Sequence, residues 1–208
     1  SVQEYSKFFF RDASGQSAPY DFDRVLLLNT NVKSVSGVYY TAAGSEASSA
    51  VPELAGEQNS AEDALYTLAA PGFTPYGFGL FMQTTQTADQ EKSLGEIKLC
   101  KHLLTLDALT SFQRRDYARE GSYYLSSGEL VRWREFTRFG GTLTVKNLGK
   151  EARDLLWNAY RDYDFLTFAF YTDYDLRQTY DVAVAAPPEE SFDRKTRLYE
   201  LSLEVKER

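Results

Sequence analysis

The chain has 208 residues, 43% of them hydrophobic and 25% charged, with a formal charge of −7, one Cys and one His. That length supplies one large or two small domains with their own cores. It holds no apolar run long enough for a membrane-spanning helix and no set of cysteines for a disulfide framework. Its acidity argues against general affinity for phosphate backbones.

Taken from the start, Ser-Val-Gln-Glu-Tyr-Ser-Lys lacks the basic head and apolar middle of a secretory leader, so export is not expected. Val25 to Leu28 is a short buried run, followed by the turn-prone Asn29-Thr-Asn31. Val35 to Tyr40 reads as a strand with Gly37 inside it. From Thr41 to Asp63 the residues are mainly Ala, Ser, Gly and Glu, which predicts a long exposed or disordered loop. A brief helical turn is expected near Ala61 to Leu68. Tyr76 to Gln83 resumes a strand whose Gly77 and Gly79 point to a bulge or a close backbone approach. After a polar connection, Leu94 to Lys101 alternates as another strand.

The polar, charged stretch from Thr110 to Gly121 marks the expected junction between a first domain, 1–109, and a second, 110–208. Tyr123 to Leu125 and Glu129 to Phe136 form a hairpin across Ser126-Ser-Gly128. Leu143 and Val145 alternate with Thr142 and Thr144. Ala152, Leu155, Leu156, Ala159 and Tyr160 make the stripe of a short amphipathic helix over 150–161. Phe165 to Tyr171 is too aromatic for a second helix. The chain closes on Tyr199, Leu201, Leu203 and Val205 facing one way, with Glu200, Ser202 and Glu204 facing the other. The expected fold class from these patterns is mainly β, a sheet packed on one helix.

The residues offer little catalytic chemistry. His102 is the single candidate base, and no nucleophile elbow accompanies it. Cys100 and His102 together fall short of the three or four ligands zinc needs. Asp162 and Asp164, like Asp173 and Asp175, are spaced i, i+2, but they flank turns and lack a calcium loop. No cofactor, metal or catalytic residue is expected, and the chain is not read as an enzyme. A carboxylate pair for glycoside hydrolysis remains open as a third function class, although nothing selects two of the many acids. Arg114, Arg115, Arg119, Arg132, Arg134 and Arg138 form the one basic concentration, interleaved with Tyr117, Tyr123, Tyr124 and Trp133. If Leu130 to Phe136 is a strand, Leu130, Arg132 and Arg134 share a face. That face reads either as a nucleic-acid or sugar site, or as a salt-bridged contact between subunits.

The segment Gly140-Gly-Thr-Leu-Thr-Val-Lys-Asn147, the helix Lys150 to Arg161, the strand Phe165 to Tyr171 and the ending Thr179 to Val184 with Leu198 to Val205 resemble the ring-forming domain of tail-tube and distal-tail proteins of tailed bacteriophages. Asp23 to Asn31, Val35 to Tyr39 and Lys92 to Leu99 are similar to the discoidin-like jelly roll of some tail-tip proteins. The resemblance implies a β-sandwich or split barrel with one flanking helix, in a virion protein assembled in the host cytoplasm. Copies would form a ring, expected to be hexameric, joined to other tail proteins, with DNA passing through and not specifically bound. Arg132, Trp133, Arg134, Asp173, Asp175, Glu200 and Glu204 are the implied interface or lumen residues. A carbohydrate-binding sandwich for a host glycan is the alternative.

Overall fold

A computed structural model describes residues 4–42, 48–54, 57–58, 63–106, 110–127, 129–172 and 175–208. The protein is mainly β with one α-helix among the described residues, and its antiparallel sheets include one curled into half a barrel. The chain divides into two compact units, one of residues 1–102 with 172–177 and one of 103–171 with 178–208. Thr110–Arg114, within the polar stretch, is a strand.

The first unit contains β1 (Glu4–Phe9), β2 (Arg24–Thr30), β3 (Val32–Tyr40), β4 (Ser48–Val51), β5 (Glu57–Gln58), β6 (Ala64–Thr67), β7 (Gly77–Thr85) and β8 (Leu94–Cys100). One sheet runs β1-β7-β3-β4, with β5 also on β3, and the other runs β6-β2-β8. Val25 and Leu27 from β2 share a core with Val35 and Tyr39 from β3 and Phe78 and Leu80 from β7. The apolar run Val25 to Leu28 is buried on both faces, which is why it lacks the alternation of a strand with one wet side. Gly79 does permit a close approach: a β-carbon there would come within 2.9 Å of Val38 Cγ2. Asn29 adopts φ 52°, a left-handed conformation that asparagine tolerates, inside β2 opposite Gly95.

Two expectations fail between Thr41 and Leu68. The Ala/Ser-rich segment carries β4, antiparallel to Gly37–Tyr40, and then a turn of 3-10 helix at Pro52–Leu54. Val51 and Leu54, among the few large apolar residues in this stretch, are fully buried. Gly37 makes their room, since a β-carbon on it would lie 2.6 Å from Leu54 Cδ1. Backbone pairing with an existing strand needs no β-branched composition, so the small residues of Ser48 to Ala50 join the sheet without signalling it. The helical turn expected near Ala61 to Leu68 is instead strand β6, paired with β2 from Arg24↔Thr67 to Leu27↔Ala64. Residues 43–47, 55–56 and 59–62 of these readings lie outside the described residues.

The second unit is built on β9 (Thr110–Arg114), β10 (Tyr117–Tyr124), β11 (Leu130–Arg138), β12 (Gly140–Leu148), α1 (Lys150–Asp162), β13 (Leu166–Thr172), β14 (Asp175–Val184), β15 (Glu189–Asp193) and β16 (Leu198–Glu207), although Thr172 of β13 and residues 175–177 of β14 group with the first. Its main sheet runs β13-β14-β16-β12-β9, with β15 also on β16. Leu201, Leu203 and Val205 are buried beside Leu143 and Val145, as the period-2 pattern requires. Leu156 and Ala159 seat α1, while Leu155, at the margin of the stripe, stays exposed. Trp157 packs against the core in addition and donates its indole N–H to Glu190 Oε2 at 2.7 Å. Arg153 reaches the same carboxylate at 2.8 Å, so β15 clasps the helix.

Candidate functional site

The feature that the core does not absorb is the hairpin of β10 and β11. These strands pair with each other alone among the described residues, and nearly every position on both is exposed. Tyr, Trp, Phe and Val supply the strand preference. Ser126 and Ser127 sit in the turn, and the Leu125 N–H donates to the Glu129 carbonyl at 2.8 Å to close it. The ribbon is longer than the sequence pattern indicated, because its first half contains the charged residues that were read as a junction.

The register sorts the ribbon into two faces. Tyr123 lies opposite Val131 and Trp133 opposite Gly121. Gly121 is needed there: a β-carbon would sit 2.7 Å from Trp133 Cζ2, so the indole lies across the bare backbone. Past an irregularity that skips Glu135, Phe136 lies opposite Arg119 on this same aromatic face. Trp133 is 43% exposed and Phe136 40%. The other face places Ser122 opposite Arg132 and Glu120 opposite Arg134, with Tyr124 opposite Leu130 near the tip. Leu130, Arg132 and Arg134 do share a face. Tyr124 at 74% and Leu125 at 41% are exposed apolar groups at the tip.

The arginines are used mostly within the ribbon. Arg134 Nη2 pairs with Glu120 Oε2 at 3.0 Å, and Arg119 Nε pairs with Glu135 Oε2 at 3.1 Å. Arg138 lies over the Phe136 ring at 5.0 Å from its centroid. These exposed cross-strand pairs contribute modestly to stability and chiefly hold register. Among the described residues no other strand pairs with the ribbon, and its aromatic face is exposed, the kind of surface that marks an association site.

The base of the ribbon is fixed more firmly. Tyr117 packs its ring where a β-carbon on Gly140 would collide with it. Its hydroxyl donates to Glu204 Oε1 at 2.9 Å, and Lys206 Nζ lies 4.8 Å from the ring centroid. The Tyr117 hydrogen bond, followed by Lys206, holds the Glu204 carboxyl below its ordinary value of 4.5. A depressed folded-state pKa stabilises above the unfolded value, and that stabilisation is lost as pH falls through the folded pKa. Tyr117→Phe is expected to raise the Glu204 pKa toward 4.5 and to weaken this part of the acid dependence. A carbon-detected NMR titration of the Glu204 carboxyl checks it, and an unmoved titration would mean that the cations Lys206 and Arg115 set the shift without Tyr117.

The predicted site residues thus fall in three places. Arg132, Trp133 and Arg134 are on the ribbon, with Trp133 facing away from the two arginines. Glu200 and Glu204 lie on β16, on the face opposite its buried leucines. Neither presents a bare carboxylate, because Glu200 pairs with Lys146 at 3.7 Å and Glu204 with Lys206 at 3.1 Å. Asp173 lies outside the described residues, and of Asp175 only the backbone, the first residue of β14, is described. Tyr117, Gly121 and Phe136 were missed as site residues. The signal for them was the continuation of strand-forming residues on either side of the Ser-Ser-Gly turn.

Cys100 ends β8, and the backbone N–H of His102 beyond it donates to Asp23 Oδ1 at 2.7 Å. Among the described residues no three His, Cys, Asp or Glu side chains gather as a metal site. No protein-family model, curated protein or solved structure matches the chain.

Proposed function

We propose that the protein is a self-associating structural subunit, a component of a bacteriophage tail or tail tip that closes into a ring around a passage for DNA. The observation that supports this is the β10–β11 ribbon: a two-stranded hairpin is marginal in water by itself, yet here it is anchored at Tyr117 and offers an uncovered aromatic face. Between residues 114 and 138, six arginines stand against four carboxylates, while the whole chain carries −7. A ribbon of locally positive charge beside an acidic remainder suits contact with another copy of the same chain. A head-to-tail contact of this type closes into a ring when its rotation permits. The layout of the second unit, a sheet with one flanking helix, agrees with the tail-tube resemblance of its sequence.

In this reading neighbouring tail proteins stack on the ring, and DNA passes without being specifically held. The lysine partners of Glu200 and Glu204 reduce what those two acids contribute to a repulsive lining. Light-scattering mass and negative-stain imaging across a wide concentration range test the proposal. Closed rings with a central hole are the expected result. A monomer at every concentration would sink self-assembly and turn attention to the glycan-binding alternative, for which a glycan array is the corresponding assay.

A further inference from the structure

The first unit contains a cavity of ≈ 590 Å³ walled by the rings of Phe8, Phe10 and Tyr20 and by Ile97 and Leu99, its charged groups being Arg11 and Asp12. That volume lies within the range of sites that bind small groups of side chains or ligands. The cavity adjoins two unpaired strand edges. Among the described residues, β1 pairs only with β7 and β8 only with β2, so each leaves a row of backbone donors and acceptors for an added strand. Its few polar groups fit poorly with a sugar, whose many hydroxyls each need a partner.

We infer that this cavity receives the tip of the β10–β11 ribbon, residues 123–127 with 129 and 130, of a second copy of the chain. Tyr124, Leu125 and Leu130 are the exposed apolar groups that the aromatic walls would cover. Glu129 at the tip is exposed, as is Arg11 in the cavity. Arg11 Nη1 donates to the Gly15 carbonyl at 2.9 Å, which steadies the side chain while leaving its charge without a carboxylate partner among the described residues. Asp12, the other charged group of the cavity, accepts from the Ser14 and Gln16 N–H groups of its own turn at 2.9 and 3.0 Å, so the tip brings one anion, Glu129, and apolar side chains to apolar walls and to an Arg11 whose described partner is a carbonyl. Because knob and cavity are different surfaces of one chain, the contact is heterologous and propagates from copy to copy. This inference rests on the self-assembly reading above and supplies its contact.

Two full-length variants test it. Tyr124→Ser with Leu125→Ser removes the knob, and Ala18→Trp fills the cavity from its own wall. Far-UV circular dichroism and melting establish that both fold. Each variant alone is expected to lose assembly by at least about tenfold in concentration, as truncation of anchor residues does. Mixed together, they should form a heterodimer and stop there, since one intact tip meets one intact cavity and no further pair remains. Arg11→Glu and Glu129→Arg should each weaken assembly by about fivefold and restore it when combined.

Assembly undiminished in both the knob and cavity variants would overturn the tip–cavity contact, leave self-assembly standing, and assign the cavity to another occupant. Loss of assembly in both without heterodimer on mixing would overturn the contact as well. A wild-type chain monomeric at every concentration would overturn this inference together with the reading on which it rests.

Discussion

Leu54→Ala is expected to destabilise the first unit by about 2–5 kcal/mol, the cost of emptying a fully buried leucine site that cannot collapse. The site is tight because Leu54 Cδ1 occupies the space that a side chain at position 37 would claim, and Gly37 offers none. Val51, equally buried, bounds it on the same strand-and-turn segment. Exposed Ser49, paired through its backbone with Tyr39, provides the contrast: Ser49→Ala should remain within about 0.5 kcal/mol of wild type. Urea unfolding followed by far-UV circular dichroism reads both. Trp133 and Trp157 lie in the second unit, so tryptophan fluorescence provides a separate signal for that unit. An unchanged midpoint for Leu54→Ala would show that the Ala/Ser-rich segment is not packed as described.

Excising the ribbon has the largest expected effect on assembly. Replacing Ala118–Thr137 by Asn-Gly joins Tyr117 to Arg138, which already face each other in register, through a dipeptide suited to a two-residue hairpin turn. Tyr117 keeps its hydrogen bond to Glu204, and neither hydrophobic core contains a residue of the excised segment. The shortened chain should therefore melt close to wild type while remaining monomeric at concentrations where wild type assembles. Scattering mass and melting temperature, measured on the same samples, separate the two effects. An excised chain that still forms rings would remove the ribbon from the contact, although not the ring itself.

Strand periodicity made much of this fold legible. Leu201, Leu203 and Val205 alternate with polar neighbours because one face of β16 is dry and the other wet, and the helix over 150–161 announces itself by the burial of Leu156 and Ala159. The hairpin was visible from its Ser-Ser-Gly turn and flanking aromatics. What failed were segments whose structure is borrowed from a partner strand. Ser48 to Ala50 lack the residues that favour a strand, and Ala64 to Thr67 is too short for Tyr66 and Thr67 to show a period, so both are strands because β3 and β2 offer them hydrogen-bonding edges.

The candidate site divides in the same way. The sequence by itself determined that Leu130, Arg132 and Arg134 share a face, since alternation along a strand is local geometry. Only the tertiary structure decided that Trp133 crosses Gly121, that Arg134 and Arg119 take carboxylates of the ribbon itself, and that Glu200 and Glu204 have lysine partners. Apart from the Glu204–Lys206 pair, two residues apart on one face of β16, each of those facts depends on which residue of one strand lies opposite which residue of another. In the hairpin the register follows from the turn and from the irregularity at Glu135, while between β12 and β16 it is fixed by the packing of whole sheets; alternation along one strand contains neither.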